Sequence, residues 1–427
     1  MLTRGGSVVN RLTSALDNEV ELGMFNFNDG LLTARQCLGE MENAGGFNVY
    51  FQGNSLIDGY EVSDFFNDHT CYLTIAELQR LLQPKGYAPD LGHVPIRTGN
   101  IAGDGVWGNL NTVNSANNMV FSFSGTAGNL SNTGGGDSIV RKYTSITGTS
   151  TQRLGWLLDP GTSTPIPRAA TRIDGIFGPG GTFETDIVEG GTTFVTAASA
   201  AIGPQLDSSS YVAGTRVNLS SALDPTAQYW IQIAAPASGV TACDGIWVAN
   251  SNKGISGGLC TRVGGNIYTD TWNEATLVAT IDSPTSRPGT GMGGTNDRVR
   301  VFNYGANEYS NQTSLANFQT AYQTQLTRYL ARGGSAILEI SMVLDPAYYS
   351  SPGAIPYSDY VNVIYGLART NGCALLDYEQ VFGGRSAANT TLYNTRGFKS
   401  TNTHLTNVLA LWQARIRAMA IYRGLTG

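Results

Sequence analysis

The last third of the chain alternates two hydrophobic periods, and few architectures accept that alternation. Residues 298–304 read as a strand, after which Leu315, Phe318, Tyr322, Leu326 and Tyr329 recur at helical spacing before Gly333-Gly334. Residues 336–344 form a nearly continuous apolar run, as a strand buried on both faces requires. A helix over about 358–371, a strand over 374–378 and a last helix with Leu405, Val408, Leu409, Trp412, Ile416 and Met419 on one face complete the pattern. Repeated strand and helix imply βαβ units, and hence a parallel sheet covered by helices on both sides.

The same signals occur near the front. Phe47, Val49 and Phe51 alternate with Asn48, Tyr50 and Gln52, giving a strand that ends at Gly53-Asn54-Ser55. Thr74-Ile75-Ala76-Glu77 has the form of a capping box, Leu78, Leu81 and Leu82 supply an apolar face, and Pro84 stops the helix. Between about 127 and 295 the text changes to short β-branched or aromatic runs, such as 192–196 and 229–233, separated by Gly, Ser, Thr, Asn and Pro, the pattern of an all-β sandwich or barrel. The simplest organisation is an α/β domain in two parts, 46–126 and 296–427, with a β-rich domain, 127–295, inserted in one of its loops. Residues 1–45 form an N-terminal segment with two weakly helical stretches, 8–16 and 31–41, and no evident role.

Charge excludes several partners. Lys and Arg number 26 against 32 Asp and Glu, and charged residues make up only 14% of the chain, which argues against nucleic acid and anionic membrane surfaces. No window approaches 18 consecutive apolar residues, so membrane insertion is not expected, and the first residues lack the apolar run of a secretory signal. The five cysteines contain no C-x-x-C pair; Cys243 and Cys260 stand either as a bridge or as two buried thiols. His69, His93 and His404 are the only histidines and form no metal-binding spacing, so neither a metal nor a cofactor is expected. Residues 289–294 match G-x-G-x-x-G by letters, but they precede a strand and open no helix, which leaves a linker.

Ser55 lies between a strand end and the following helix, where parallel sheets bind ligands and where backbone N–H groups can face a developing oxyanion; the competing reading is a turn or cap serine. Four short blocks occur in order at strand ends or helix starts: Gly53-Asn54-Ser55-Leu56, Ile101-Ala102-Gly103-Asp104-Gly105, Tyr304-Gly305-Ala306-Asn307-Glu308 and Thr403-His404-Leu405-Thr406. Together they resemble the SGNH/GDSL hydrolase family, over roughly 46–126 and 296–427. The resemblance implies a three-layer α/β/α fold with a parallel sheet, here carrying an inserted all-β, sandwich-like domain. It makes Ser55 the nucleophile and His404 the base, and assigns the oxyanion hole to the backbone N–H groups of Ser55 and Gly103 with the side-chain amide of Asn307. The chemistry suits those types, since a neutral hydroxyl needs a base and an imidazole titrates near neutrality.

The chain departs from the family pattern in three places. Asn54 and Glu308 stand where the family has aspartates, and Thr401 occupies the position of the acid that orients the histidine, so the acid partner of His404 is unknown. The resemblance implies a serine esterase acting on small acyl esters, foremost O-acetyl groups on a carbohydrate. Trp247 and Trp272 are candidate sugar-stacking rings, or else core. The alternative is a phage-type tail or receptor-binding structural protein with this fold as a weakly active or inactive scaffold, compatible with virion assembly, homo-oligomers and contact with an extracellular surface. A glycosidase using two carboxylates is a third reading.

Overall fold

The computed structural model of the protein describes residues 23–36, 38, 47–54, 70–82, 88–95, 121–124, 130–132, 144–147, 153–158, 171–189, 205–211, 215–234, 240–249, 254–261, 266–268, 297–331, 333–343, 345–350, 352–395 and 406–427. Among these, the strands are β1 (Met24–Phe25), β2 (Phe47–Gly53), β3 (Ala88–Pro95), β4 (Phe121–Ser124), β5 (Leu130–Asn132), β6 (Thr144–Thr147), β7 (Arg153–Leu158), β8 (Arg172–Phe177), β9 (Thr182–Glu189), β10 (Gln205–Asp207), β11 (Thr215–Ser220), β12 (Tyr229–Ala234), β13 (Val240–Ala249), β14 (Gly254–Thr261), β15 (Asp297–Asn303), β16 (Ser335–Ile340) and β17 (Ala374–Asp377). The helices are α1 (Phe27–Gly30), α2 (Thr70–Leu82), α3 (Ala306–Ser310), α4 (Leu315–Leu330), α5 (Ala347–Ser350), α6 (Tyr357–Asn371), α7 (Tyr378–Val381), α8 (Ala387–Thr395) and α9 (Asn407–Thr426).

The main sheet runs β17-β16-β15-β2-β14-β3, every neighbouring pair parallel. Gly53 is opposite Asn303 on one side and Thr261 on the other, so β2, β15 and β14 end level at the carboxyl edge. Alternate residues divide the sheet between two cores, as a period of two demands. Val49, Phe51, Val299, Val301, Ile337 and Leu376 pack with Ile75 and Leu78 of α2 and Leu409, Ile416 and Ile421 of α9. Tyr50, Phe302, Leu338, Ile340 and Leu375 pack on the other face with Phe318, Tyr322 and Leu326 of α4 and Tyr360, Val361 and Ile364 of α6. The expected α/β architecture with a parallel sheet is therefore present, and every residue of β16 is buried.

Gly254–Thr261 falls inside the stretch read as an insertion, yet it forms β14, directly between β2 and β3. Beyond β3 the sheet continues with antiparallel strands, β13 pairing with β3, β6 and β8, and β8 with β11. A five-stranded antiparallel sheet, β10-β9-β12-β7-β4, lies over this extension, its Phe183, Ile231 and Ile233 sharing a core with Ile173, Phe177, Ile246 and Val248. The β-rich region is thus layered like a sandwich, but one layer is continuous with the parallel sheet. Cys243 and Cys260 lie on strands separated by β3, about 10 Å apart at two strand spacings, beyond the ~7 Å reach of a disulfide. Trp247 is buried beneath the Arg216 guanidinium, 4.6 Å from its ring centre, and is core; Trp272, residues 192–196 and the glycine-rich 289–294 lie outside the described residues.

Three local expectations change. α2 begins at Thr70, four residues before the supposed capping box: the Thr74 hydroxyl donates to the Thr70 carbonyl, and Glu77 pairs with Arg80. Val408 is 55% exposed, because the buried stripe of α9 is centred on Leu409, Gln413 and Arg417. The N-terminal segment contributes β1, antiparallel on the outer edge of β17, and buries Phe27, Leu31, Ala34 and Leu38. Residues 8–16 lie outside the described residues.

Arg417 explains the second change. Its Nε and Nη2 reach the two Glu339 carboxylate oxygens at 2.6 and 2.8 Å, and Nη1 reaches the Thr70 and Thr74 hydroxyls at 3.1 and 3.0 Å. Tyr378 Oη and Asn303 Nδ2 donate to the same carboxylate. Breaking one side of such a buried pair typically costs about 3–5 kcal/mol, because the other charge is left uncompensated. Arg417→Ala should therefore lower unfolding free energy by that amount in denaturant titrations, and Arg417→Met with Glu339→Leu should restore most of it. A loss below ~1 kcal/mol in the single variant would contradict the clamp.

Candidate active site at the carboxyl edge of the sheet

Chain directions show what converges at this edge. β2 ends there, and the next residue, Asn54, is fully buried. β15 ends beside it, and four residues past its end Asn307 sits in the first turn of α3. α9 runs away from the edge. The Tyr378 hydroxyl, just past the end of β17, lies 3.1 Å from the Gln413 carbonyl oxygen, whereas near the far end of the helix Arg35 donates to Gly424 O, with Asn26 of the same N-terminal segment bonded to Gly372 O just before β17. Thr406, at the N-terminus of α9, lies seven residues or about 10 Å above Gln413, on the carboxyl-edge side.

Of the residues proposed from sequence, Asn307 is described: it lies in the first turn of α3, after β15. Ser55, Gly103, Thr401 and His404 lie outside the described residues, Ser55 one position beyond Asn54 and His404 two positions before Thr406. Gly103 follows β3, which is separated from β2 by β14.

Glu308, noted from sequence only as standing where the family has an aspartate, does structural work that the sequence reading missed. The residue is fully buried, and its carboxylate accepts Gly305 N–H and Ile267 N–H, each at 2.6 Å. The spacing Gly305-x-x-Glu308 is half of a capping box, and that signal was present in the sequence. Gly305 has φ +120, a conformation that strains any side chain, so the turn presenting Asn307 needs glycine there.

A second carboxylate cluster was also missed. Asp377 ends β17, caps α7 through the Glu379 and Gln380 N–H groups, and accepts from Tyr365 and Arg385. Glu379 takes the Val343 N–H, the Tyr349 hydroxyl and an ion pair with Arg385 at 2.9 Å. One guanidinium thus serves two carboxylates. Burial pushes Glu379 up to about 7 against the downward pull of Tyr349 and Val343. The cluster fastens the chain after β16 to the start of α7, forming one wall of the carboxyl edge.

A raised carboxyl pKa means that the folded state binds more protons than the unfolded one between about 4.5 and 7, so this group's contribution to stability is present at acid pH and declines through that window. Wild-type stability should fall from pH 5 to pH 8 relative to Glu379→Gln by on the order of 3 kcal/mol. Parallel pH profiles for the two proteins in urea titrations would refute the shift.

Comparison of the sequence with protein families finds no match, and comparison with curated proteins finds none. Among solved structures, a peptidoglycan O-acetylesterase is similar over 94% of this chain and 99% of its own, with TM-score 0.62 and 12% identity. The acetyl xylan esterase AlAXEase (TM-score 0.28, 16% identity, 39% of this chain and 81% of its own) and a lipase/acylhydrolase from Enterococcus faecalis (TM-score 0.30, 13% identity, 40% and 77%) match smaller parts, at scores that carry no weight. No helix among the described residues is long and apolar enough to cross a membrane. The likeness that counts takes in the β-rich middle as well as the parallel sheet, and at its low identity it establishes that the two proteins share a fold.

Proposed function

We propose that this chain is a serine esterase that removes O-acetyl groups from a carbohydrate. The observation that carries the reading is the likeness to a peptidoglycan O-acetylesterase over nearly the whole of both chains, joined to the convergence of Asn54, Asn307 and the start of α9 at one sheet edge. In this reading the β-rich part of 127–295 is an addition to an esterase core formed by 46–126 and 296–427, with β14 returned to the core sheet.

His404 takes the Ser55 Oγ proton as the hydroxyl attacks the acetyl carbonyl. Negative charge collects on the carbonyl oxygen and is met by the backbone N–H groups of Ser55 and Gly103 and by Asn307 Nδ2, donors that need no reorganisation at the moment of attack. Collapse expels the sugar hydroxyl, which takes the proton from His404. Water, deprotonated by the same imidazole, then attacks the acetyl-Ser55 carbonyl; the bond to Oγ breaks, the imidazolium returns its proton to Oγ, and acetate leaves.

A fluorophosphonate probe should label the wild type at Ser55, and Ser55→Ala should abolish acetate release from an O-acetylated glycan. Asn307→Ala should lower kcat by roughly 10²- to 10³-fold. Labelling elsewhere, or ester hydrolysis that survives Ser55→Ala, would refute the mechanism. Glycan binding by an inactive wild type would support a scaffold instead.

A further inference from the structure

The two bonds of the Glu308 carboxylate go to different stretches of chain. One closes the turn that carries Asn307, through Gly305 N–H; the other fastens Ile267, six residues past the end of β14. A second tie repeats the connection: Asn266 Nδ2 donates to Thr313 Oγ1 at 3.1 Å, while Thr313 N–H bonds the Glu308 carbonyl at 2.9 Å and Tyr360 Oη bonds the Thr313 carbonyl. Asn266 and Ile267 are 1% and 3% exposed, so this is a buried joint and not a surface contact. β14 is also the neighbour of β2 on the side away from β15. The joint therefore links the chains leaving the two strands that flank β2, which ends just before Asn54.

A carboxylate suits this place because both neighbours are donors. It is acceptor-only at two oxygens, whereas a glutamine would turn an NH2 group towards one of the two N–H groups. Gly305 is the N-cap of α3, and the Glu308 carboxylate is the side-chain acceptor for its backbone N–H.

We propose that Glu308 is a positioning residue: it locks the Asn307 turn to the segment following β14, and so fixes the Asn307 amide for the developing oxyanion. The proposal rests on the esterase reading above. It predicts a defect in the chemical step and not in substrate affinity, because the donor it holds acts on charge that appears only in the transition state.

Glu308→Gln should lower kcat roughly 10- to 100-fold with KM within about threefold, and should slow fluorophosphonate labelling of Ser55 by a similar factor. Hydrogen exchange at the Ile267 and Gly305 amides should quicken at least tenfold. Combined with Asn307→Ala, Glu308→Gln should add little, since both changes remove one donor from the same site. Thr313→Val, which severs only the Asn266 tie, should reduce kcat severalfold in the same sense and serves if Glu308→Gln does not fold.

A folded Glu308→Gln protein whose melting temperature drops while kcat stays within twofold would overturn the proposal and leave the esterase reading standing. So would unchanged kcat in Thr313→Val, or full additivity with Asn307→Ala. A wild type that neither hydrolyses esters nor takes label at Ser55 would overturn both.

Discussion

The buried pair between Arg417 and Glu339 holds the rest of the molecule in register. Glu339 sits on β16, between β17 and β15, and its carboxylate is met by Arg417 from α9, Tyr378 from α7 and Asn303 from β15, while the same guanidinium reaches Thr70 and Thr74 on α2. Such a pair adds little net stability, since desolvating two charges offsets most of their attraction. Its effect is selective: any arrangement in which α9 slides or turns leaves a charge in the core without its partner, at a cost of several kcal/mol. The helix that follows the Ser55 segment and the helix that follows the His404 segment are thereby referred to one point in the sheet.

From that point upwards, the carboxyl edge is organised by acidic residues that accept backbone N–H groups. Glu308 joins two chain segments, Asp377 caps α7, and Glu379 fastens Val343. Each carboxylate anchors a loop to a strand end or helix start, where orphan N–H groups are available. Groups placed on such loops inherit the rigidity of the sheet, the condition for stabilising a transition state without reorganisation.

How much of this was legible depended on whether one period governed a stretch. α4 and α6 were readable because each buries a stripe at helical spacing, and β16 and β17 because each is a short apolar run buried at every position. β14 was not, because Gly254-Ile255-Ser256-Gly257-Gly258 looks like loop text. The glycines are there for packing: a Cβ on Gly257 would come within 2.7 Å of Ile75, and one on Gly258 within 2.3 Å of the Tyr50 ring. Arg417 was missed because a charge in a helix is read as facing water, and nothing local announces a carboxylate 78 positions away. Of the site, the roles of Ser55, Gly103, Asn307 and His404 all came from the order of four weak motifs.

The two-residue strand at the front of the described chain has an effect out of proportion to its length. Met24 and Phe25 pair with Leu376 and Leu375, and Gly23 O accepts the Asp377 N–H, so the outermost parallel strand presents no free row of donors and acceptors. A bare edge of that kind recruits strands from other molecules. By covering β17 with a strand of only two residues, the protein leaves on this flank an edge too short to template intermolecular β-addition readily.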